Sequence, residues 1–301
     1  MIQNFGHPSA LELKKEVAAL FRDNQIFLAL HTHVTFVCGG NKRTSLRNKF
    51  KKFIINSEHN LAIVFAEDAV NDLLSHNNPE FINLGEFEEL IGDIFDSVLI
   101  FPESPGSIAE LGYFSKSDNV RKKSLVANWT EYQKESFINL GPVTLINEHS
   151  YFKPAIFLGN KKNPEFKLLV DRLLTFSKNK KRRTSFPYKK YSEQTSREKL
   201  IIVFELINIA KAIRVDNLAI LTAYVFYSNN EIELKRIVSI LCAAGYVKRD
   251  AQDENYLVVN SNAHHFLEFN HIDISSISAK ISYFYTRHDS DSFDAVKRSG
   301  K

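Results

Sequence analysis

Residues 97–112 read SVLIFPESPGSIAELG: a short apolar run, a turn made of Pro, Ser and Gly, and then the opening of a helix. A brief apolar run that ends at Phe101-Pro102 and gives way at once to a helix is how a buried strand of a parallel sheet is written. The pattern recurs through the first half of the chain. His33–Cys38 reads as a buried strand ending in Gly39-Gly40, Leu61–Ala66 as a second, and Ser97–Phe101 as a third. Ser124–Asn128 and Val143–Asn147 are further strand candidates. Helical spacing covers Leu11–Phe21, Thr44–Ile55, Glu86–Phe95, a helix beginning at Ile108–Phe114, and Glu165–Phe176. Strands separated by helices imply parallel pairing, so the expected class is α/β with a doubly wound, mostly parallel sheet.

The second half has another character. Glu198–Ala212, Leu218–Tyr227 and Glu231–Ala244 read as three helices, with Gly245 where a helix-ending glycine belongs. Tyr246–Arg249 and Tyr256–Val259 flank a polar turn and read as a hairpin. Helices followed by a two-stranded wing resemble a small winged helix-turn-helix domain. Between the halves lies KNKKRRTSFPYKK, residues 178–190, with seven basic residues and no acidic one. The formal charge of the whole chain is only +4, because the flanking parts are slightly acidic. The expected division is a 1–177 domain, a basic linker at 178–196, and a winged-helix domain at 197–301. Lys180, Lys181, Arg182, Arg183, Lys189 and Lys190 are candidate contacts to a nucleic-acid backbone. Phe186 and Tyr188 could add stacking on bases.

Composition bounds the remaining classes. At 301 residues, with 44% hydrophobic and 25% charged residues, the chain can build sizeable cores and is neither disordered nor collagen-like. Leu218–Tyr227 is the longest apolar stretch and is far too short to span a bilayer. No apolar leader opens the chain and only Cys38 and Cys242 are present, so a soluble cytoplasmic protein without a disulfide framework is expected. His31 and His33 share one face of a strand, but no third ligand follows, and no metal is expected. His264-His265 reads as surface, Cys38 as a small packed residue, and Trp129 and Tyr132 as core or rim.

In open α/β sheets ligands bind at the carboxyl ends of the strands, near the point where strand order reverses. Glycine is scarce, 11 in the chain, yet Gly39, Gly40, Gly106 and Gly112 follow two of the strands. Gly39, Gly40 and Asn41 could cradle part of a nucleotide, with a helix N-terminus and Lys42 or Arg43 favouring an anion. The second turn, Glu103-Ser104-Pro105-Gly106-Ser107, carries two carboxylates nearby. Ser107 is a natural N-cap with Glu110 three residues on, as in a capping box, and Glu110 otherwise aims into the crevice.

Ser-Pro-Gly-Ser-Ile-Ala-Glu-Leu-Gly resembles the signature of the nucleoside 2-deoxyribosyltransferase-like superfamily, in which an Asp-Ser-Gly-Thr turn precedes a catalytic glutamate. Here Glu103 takes the place of the aspartate, Pro105 is extra, and Ser107 stands for the threonine. With the basic linker and winged-helix tail, the chain resembles the effector proteins of type II retrons, most specifically at residues 99–112. The resemblance implies a Rossmann-like fold and N-glycosidic bond chemistry. Glu110 would be the nucleophile, Glu103 would hold sugar hydroxyls, and Ser104 with the amides of Gly106 and Ser107 would help position the substrate. The implied substrate is NAD, with no separate cofactor, and the implied partners are the retron reverse transcriptase and its multicopy single-stranded DNA, msDNA. Two other classes stay open: a winged-helix DNA-binding regulator with a nucleotide-sensing α/β domain, and a nucleoside deoxyribosyltransferase.

Overall fold

The computed structural model describes residues 5–22, 25–29, 33–56, 61–65, 91–178, 184–227, 230–260, 263, 265–270 and 274–299. In chain order the elements begin with α1 (Leu11–Arg22), β1 (Ile26–Leu28), β2 (His33–Cys38), α2 (Leu46–Ile55), β3 (Leu61–Phe65) and β4 (Ser97–Ile100). Then come α3 (Pro105–Lys116), α4 (Asp118–Lys123), β5 (Ser124–Trp129), α5 (Thr144–His149), β6 (Ile156–Leu158) and α6 (Phe166–Lys178). The remainder is α7 (Ser196–Ala210), β7 (Ala212–Arg214), α8 (Val215–Phe226), α9 (Glu231–Ala243), β8 (Val247–Arg249), β9 (Tyr256–Val259), β10 (Leu267–Phe269), α10 (Ile274–His288) and α11 (Ser290–Ser299). These elements form two compact units: 33–65 with 91–178, and 5–29 with 184–299.

The first unit is built on a five-stranded sheet in the order β3-β2-β4-β5-β6, with every pair parallel. All six residues of β2 and all four of β4 are buried, as a sheet covered on both faces requires. Alternation along the strands divides the core. Val37, Leu99, Phe101 and Ala127 pack under α2 and α6, whose Phe50 and Phe166 rings lie 5.4 Å apart. The chain leaves β2 toward β3 and then crosses to β4 on the other side, so the carboxyl ends of β2 and β4 form the switch point.

The α/β expectation is met, with two corrections along the chain. Val143–Asn147 is not a strand: Asn139–Val143 is a π-helical turn and Thr144–His149 is α5. Val143 and Ile146 are the buried positions, three residues apart, which is helical spacing in a run too short to show its period. The fifth strand is Ile156–Leu158, only three residues long. Of the helix read at Glu86–Phe95, residues 86–90 lie outside the described residues, and 91–94 are helical.

In the second unit α7 is the central element, because Leu200 through Ala210 are all buried. A helix apolar on every side belongs inside a core. Strand β7 follows it and joins the β8–β9 hairpin as an antiparallel sheet in the order β7-β9-β8. The start of the chain also belongs to this unit rather than to the division at 177 read from the sequence. Here α1 packs against α8 and α10, and β1 pairs antiparallel with β10, Ile26 opposite Phe269. On its other side β1 meets the end of the basic segment, with Leu28 N donating to Thr184 O at 2.8 Å and Phe186 N to Ile26 O at 2.7 Å.

Glu205 ties α7 to β10. Its side chain is fully buried, and Oε1 accepts from the amides of Phe266 and Leu267 at 3.0 and 3.1 Å. His265 lies 3.8 Å from Oε2 of Glu205, which raises its pKa above the ordinary 6.5 against the opposing effects of burial and Lys211. A histidine held protonated in the fold contributes stability that is complete below pH 6.5 and lost as pH rises through the raised value. Urea denaturation is therefore expected to show a stability decline across that window that His265→Gln removes; identical pH profiles for the two chains would refute it.

Candidate active site

The turn after β4 is organised by its two serines. Ser104 is the N-cap of α3 and Pro105 is the first helical residue, a place where its missing N–H costs nothing and its fixed φ suits the helix. Ser104 Oγ accepts from Ser107 N at 3.2 Å, and Ser107 Oγ accepts from the amides of Ser104 and Glu103 at 3.0 and 3.1 Å. The capping box is thus Ser104 with Ser107, not Ser107 with Glu110. Starting the helix at Pro105 moves Glu110 into the second turn, half-buried, with the cap completed without it. Ser107 is 2% exposed and committed to that cap, as is the Ser104 hydroxyl, so neither matches its expected role in positioning substrate. Gly106 is exposed, and a Cβ placed there would meet nothing within 4 Å.

Glu103 has a different fate from Glu110. Its Oε1 accepts from Gly40 N and Arg47 N, both at 3.1 Å, and its Oε2 accepts from Leu46 N at 2.7 Å. Leu46 and Arg47 open α2, where backbone N–H groups have no partner inside the helix and favour an anion. Three of the roughly four acceptor positions of a carboxylate are used. In place of the expected grip on sugar hydroxyls, Glu103 fastens the turn after β4 to the loop after β2. It also occupies the cradle expected of Gly39–Asn41: the anion there is the protein's own.

Close packing explains the paired glycines. A Cβ on Gly39 would lie 2.7 Å from Arg47 Cβ and 3.2 Å from Phe101 Cβ, and one on Gly40 would lie 3.3 Å from Glu103 Cγ. The loop is tied at further points. Ser45 Oγ donates to Gly40 O at 2.8 Å, Asn48 Nδ2 to Asn41 O at 2.9 Å, and the Arg47 guanidinium to Asn41 Oδ1. Arg47 is buried and its guanidinium lies over the Phe65 ring, a role that its place in a basic stretch does not announce.

Other candidates find structural places. His33 Nε2 is 2.9 Å from Ser97 Oγ in the buried sheet, and Asp96 Oδ2 accepts from Val34 N at 3.0 Å. Cys38 is buried, while His31 and His264 lie outside the described residues. Among the described residues no group of three His, Cys, Asp or Glu could hold a metal ion, and no helix is long and apolar enough to cross a membrane. Of the basic segment, Lys180, Lys181, Arg182 and Arg183 lie outside the described residues. Lys189 is 3.5 Å from Glu198, and Lys190 is exposed. Phe186 is buried at 5% exposure and Tyr188 donates its hydroxyl to Val225 O at 2.6 Å, so the stacking expected of these two is replaced by core packing.

A parallel sheet whose switch point carries a glycine loop and a carboxylate-bearing helix defines an α/β protein of the class that binds ligands at the strand ends. The chain belongs to the STM3845 retron effector protein family, whose model matches residues 43–249. It is 34% identical over 116 residues to a protein of retron Ec86 from Escherichia coli that is provisionally named a ribosyltransferase/DNA-binding protein, a match covering 38% of this chain and 37% of that protein. It is 33% identical over 120 residues to a protein of retron Ec73, also from Escherichia coli and given the same provisional name, covering 38% of each. The matched stretch therefore spans well under half the length of either relative.

Replacing Glu103 by Gln leaves one acceptor oxygen for three amides and turns an NH₂ group toward at least one of them. The expected loss is about 1–3 kcal/mol of unfolding free energy, the usual cost of an unsatisfied buried donor. Glu110→Gln, which keeps the size of the side chain and leaves the cap of α3 intact, is expected to cost less than Glu103→Gln. Urea denaturation of the two variants checks both, and equal stabilities would contradict the assignment.

Proposed function

We propose that this retron effector is an N-glycosidase that hydrolyses NAD to nicotinamide and ADP-ribose, acting as the toxic component of an antiphage defence system. The observation that carries the reading is the position of Glu110: on the helix that opens at the switch point, one turn past a cap that is complete without it. The Escherichia coli relatives named as ribosyltransferases support the same class of chemistry.

In the reaction the Glu110 carboxylate attacks the anomeric carbon of the ribose joined to nicotinamide. The bond to the pyridinium nitrogen breaks, its electron pair neutralises the ring, and nicotinamide leaves. Water then cleaves the glycosyl ester, releasing ADP-ribose and restoring the carboxylate and a proton. A carboxylate suits both steps, because the transition state is positive and oxocarbenium-like. Glu103 serves by holding Gly40 and the start of α2 in place, and the Gly106 amide at the exposed end of α3 remains as a donor toward the substrate. Glu110→Gln is expected to abolish nicotinamide release from NAD by the activated complex while assembly persists. Undiminished release would sink the nucleophile assignment, and exchange of bases between deoxynucleosides would favour the deoxyribosyltransferase reading.

We read residues 196–259 as a winged-helix domain, on the order α7-β7-α8-α9-β8-β9 and the β7-β9-β8 sheet. Its third helix is a poor reader of base edges, because Ile237 through Leu241 are all buried. The hairpin turn carries Asp253 and Glu254, which do not suit a phosphate backbone, while its Asp250 is buried and paired with Arg298. Both facts favour docking to the reverse transcriptase–msDNA complex over operator recognition, with the basic segment supplying phosphate contacts. Lys180–Arg183 replaced by Ser is expected to weaken association with msDNA and flatten its dependence on salt. Unchanged binding from low to high salt would reduce the segment to a spacer.

A further inference from the structure

The role of Glu103 limits where a nucleotide can place its negative charge. The amides of Gly40, Leu46 and Arg47 would cradle a phosphate at the start of α2, but they already face a carboxylate. A phosphate brought to the same place would meet like charge. A nucleotide lying across the strand ends must put its phosphates on other donors.

The same end of the sheet supplies them. Ile100, the last residue of β4, is paired with Val126, and β5 runs three residues further, so Trp129 ends that strand at the same carboxyl edge of the sheet. On its other side Trp129 is paired with Leu158, the last residue of β6. The indole is half-buried at the margin of the α2–α6 layer. Lys49, from the first turn of α2, holds its ammonium 5.4 Å from the centre of the indole ring and donates to Lys161 O at 2.7 Å. The Lys161 ammonium is 2.5 Å from Glu131, just beyond Trp129, which draws the loop after β6 against the loop after β5. A cation, a flat aromatic surface and two joined loops thus converge from α2, β5 and β6 at the carboxyl edge of the sheet. Lysine is a compact point charge suited to phosphate, and its partner here is a carbonyl rather than a carboxylate.

We propose that Lys49 and Trp129 form the subsite for the nucleoside diphosphate part of the substrate, with Lys49 on a phosphate and the indole packed against the adjoining sugar and base. The identity of the whole substrate rests on the N-glycosidase reading; the binding step is measurable without turnover.

Trp129 is the only tryptophan in the chain, so its fluorescence reports on this place alone. Full-length Glu110→Gln protein titrated with ADP-ribose is expected to show a saturable change in emission. Adding Lys49→Ala is expected to weaken the apparent Kd about tenfold, and Lys49→Arg to restore most of it. In the otherwise unaltered chain, Lys49→Ala and Trp129→Ala are each expected to lose about tenfold more kcat/KM on NAD than on nicotinamide riboside, which has no phosphate. Fluorescence indifferent to ADP-ribose while NAD is still cleaved, or equal losses on the two substrates, overturns the subsite and leaves the N-glycosidase reading intact. Saturable, Lys49-dependent binding by a chain that releases no nicotinamide supports the subsite and overturns that reading. Neither binding nor cleavage overturns both.

Discussion

A single carboxylate organises the carboxyl end of the parallel sheet. Glu103 sits just past β4 and accepts hydrogen bonds from Gly40, Leu46 and Arg47, so three backbone segments meet at one side chain. The first amides of α2 need an acceptor, and an anion there is favoured by the helix dipole. The loop after β2 must come close enough to deliver those amides, which is why Gly39 has no room for a Cβ. An anion approaching this end of the sheet meets a charge the protein has already placed there.

The two glutamates of one short segment therefore part company. Glu103 precedes the helix and is drawn to the neighbouring loop; Glu110 lies within the helix, beyond a cap that Ser104 and Ser107 close between themselves. Holding both on a rigid turn keeps the second carboxylate at a set place relative to the strand ends. The second unit shows the same economy with a buried charge. Glu205 lies inside the core helix, yet its Oε1 accepts from the two amides that lead into β10, while its Oε2 accepts from Asn208 and faces His265. A buried carboxylate without such partners would be costly, and with them it fixes where the strand enters.

What could be read from the chain, and what could not, follows from the range of the interactions. Strands β2, β4 and β5 were legible because both faces are covered and most of their residues are apolar. Residues 143–147 misled for the same reason: Val143, Leu145 and Ile146 are as apolar as a strand, and only the tertiary contacts select the helical spacing. Strands β1, β6 and β10 escaped notice because three residues are too few to show a period. The start of α3 was misplaced by one turn because either serine can cap, and the choice went to Ser104 with Pro105 behind it.

From the sequence alone came the α/β class, the basic composition of residues 178–190, the helical second half and the expectation that chemistry sits around Glu110. All of these depend on composition and local spacing, which the chain carries openly. The duties of Glu103, Arg47, Lys49 and Trp129 emerged only with the fold, as did the membership of residues 5–29 in the second unit. The physical reason is that a carboxylate or an ammonium takes its role from the groups within about 3 Å of it. Strand order and register, rather than distance along the chain, determine which groups those are.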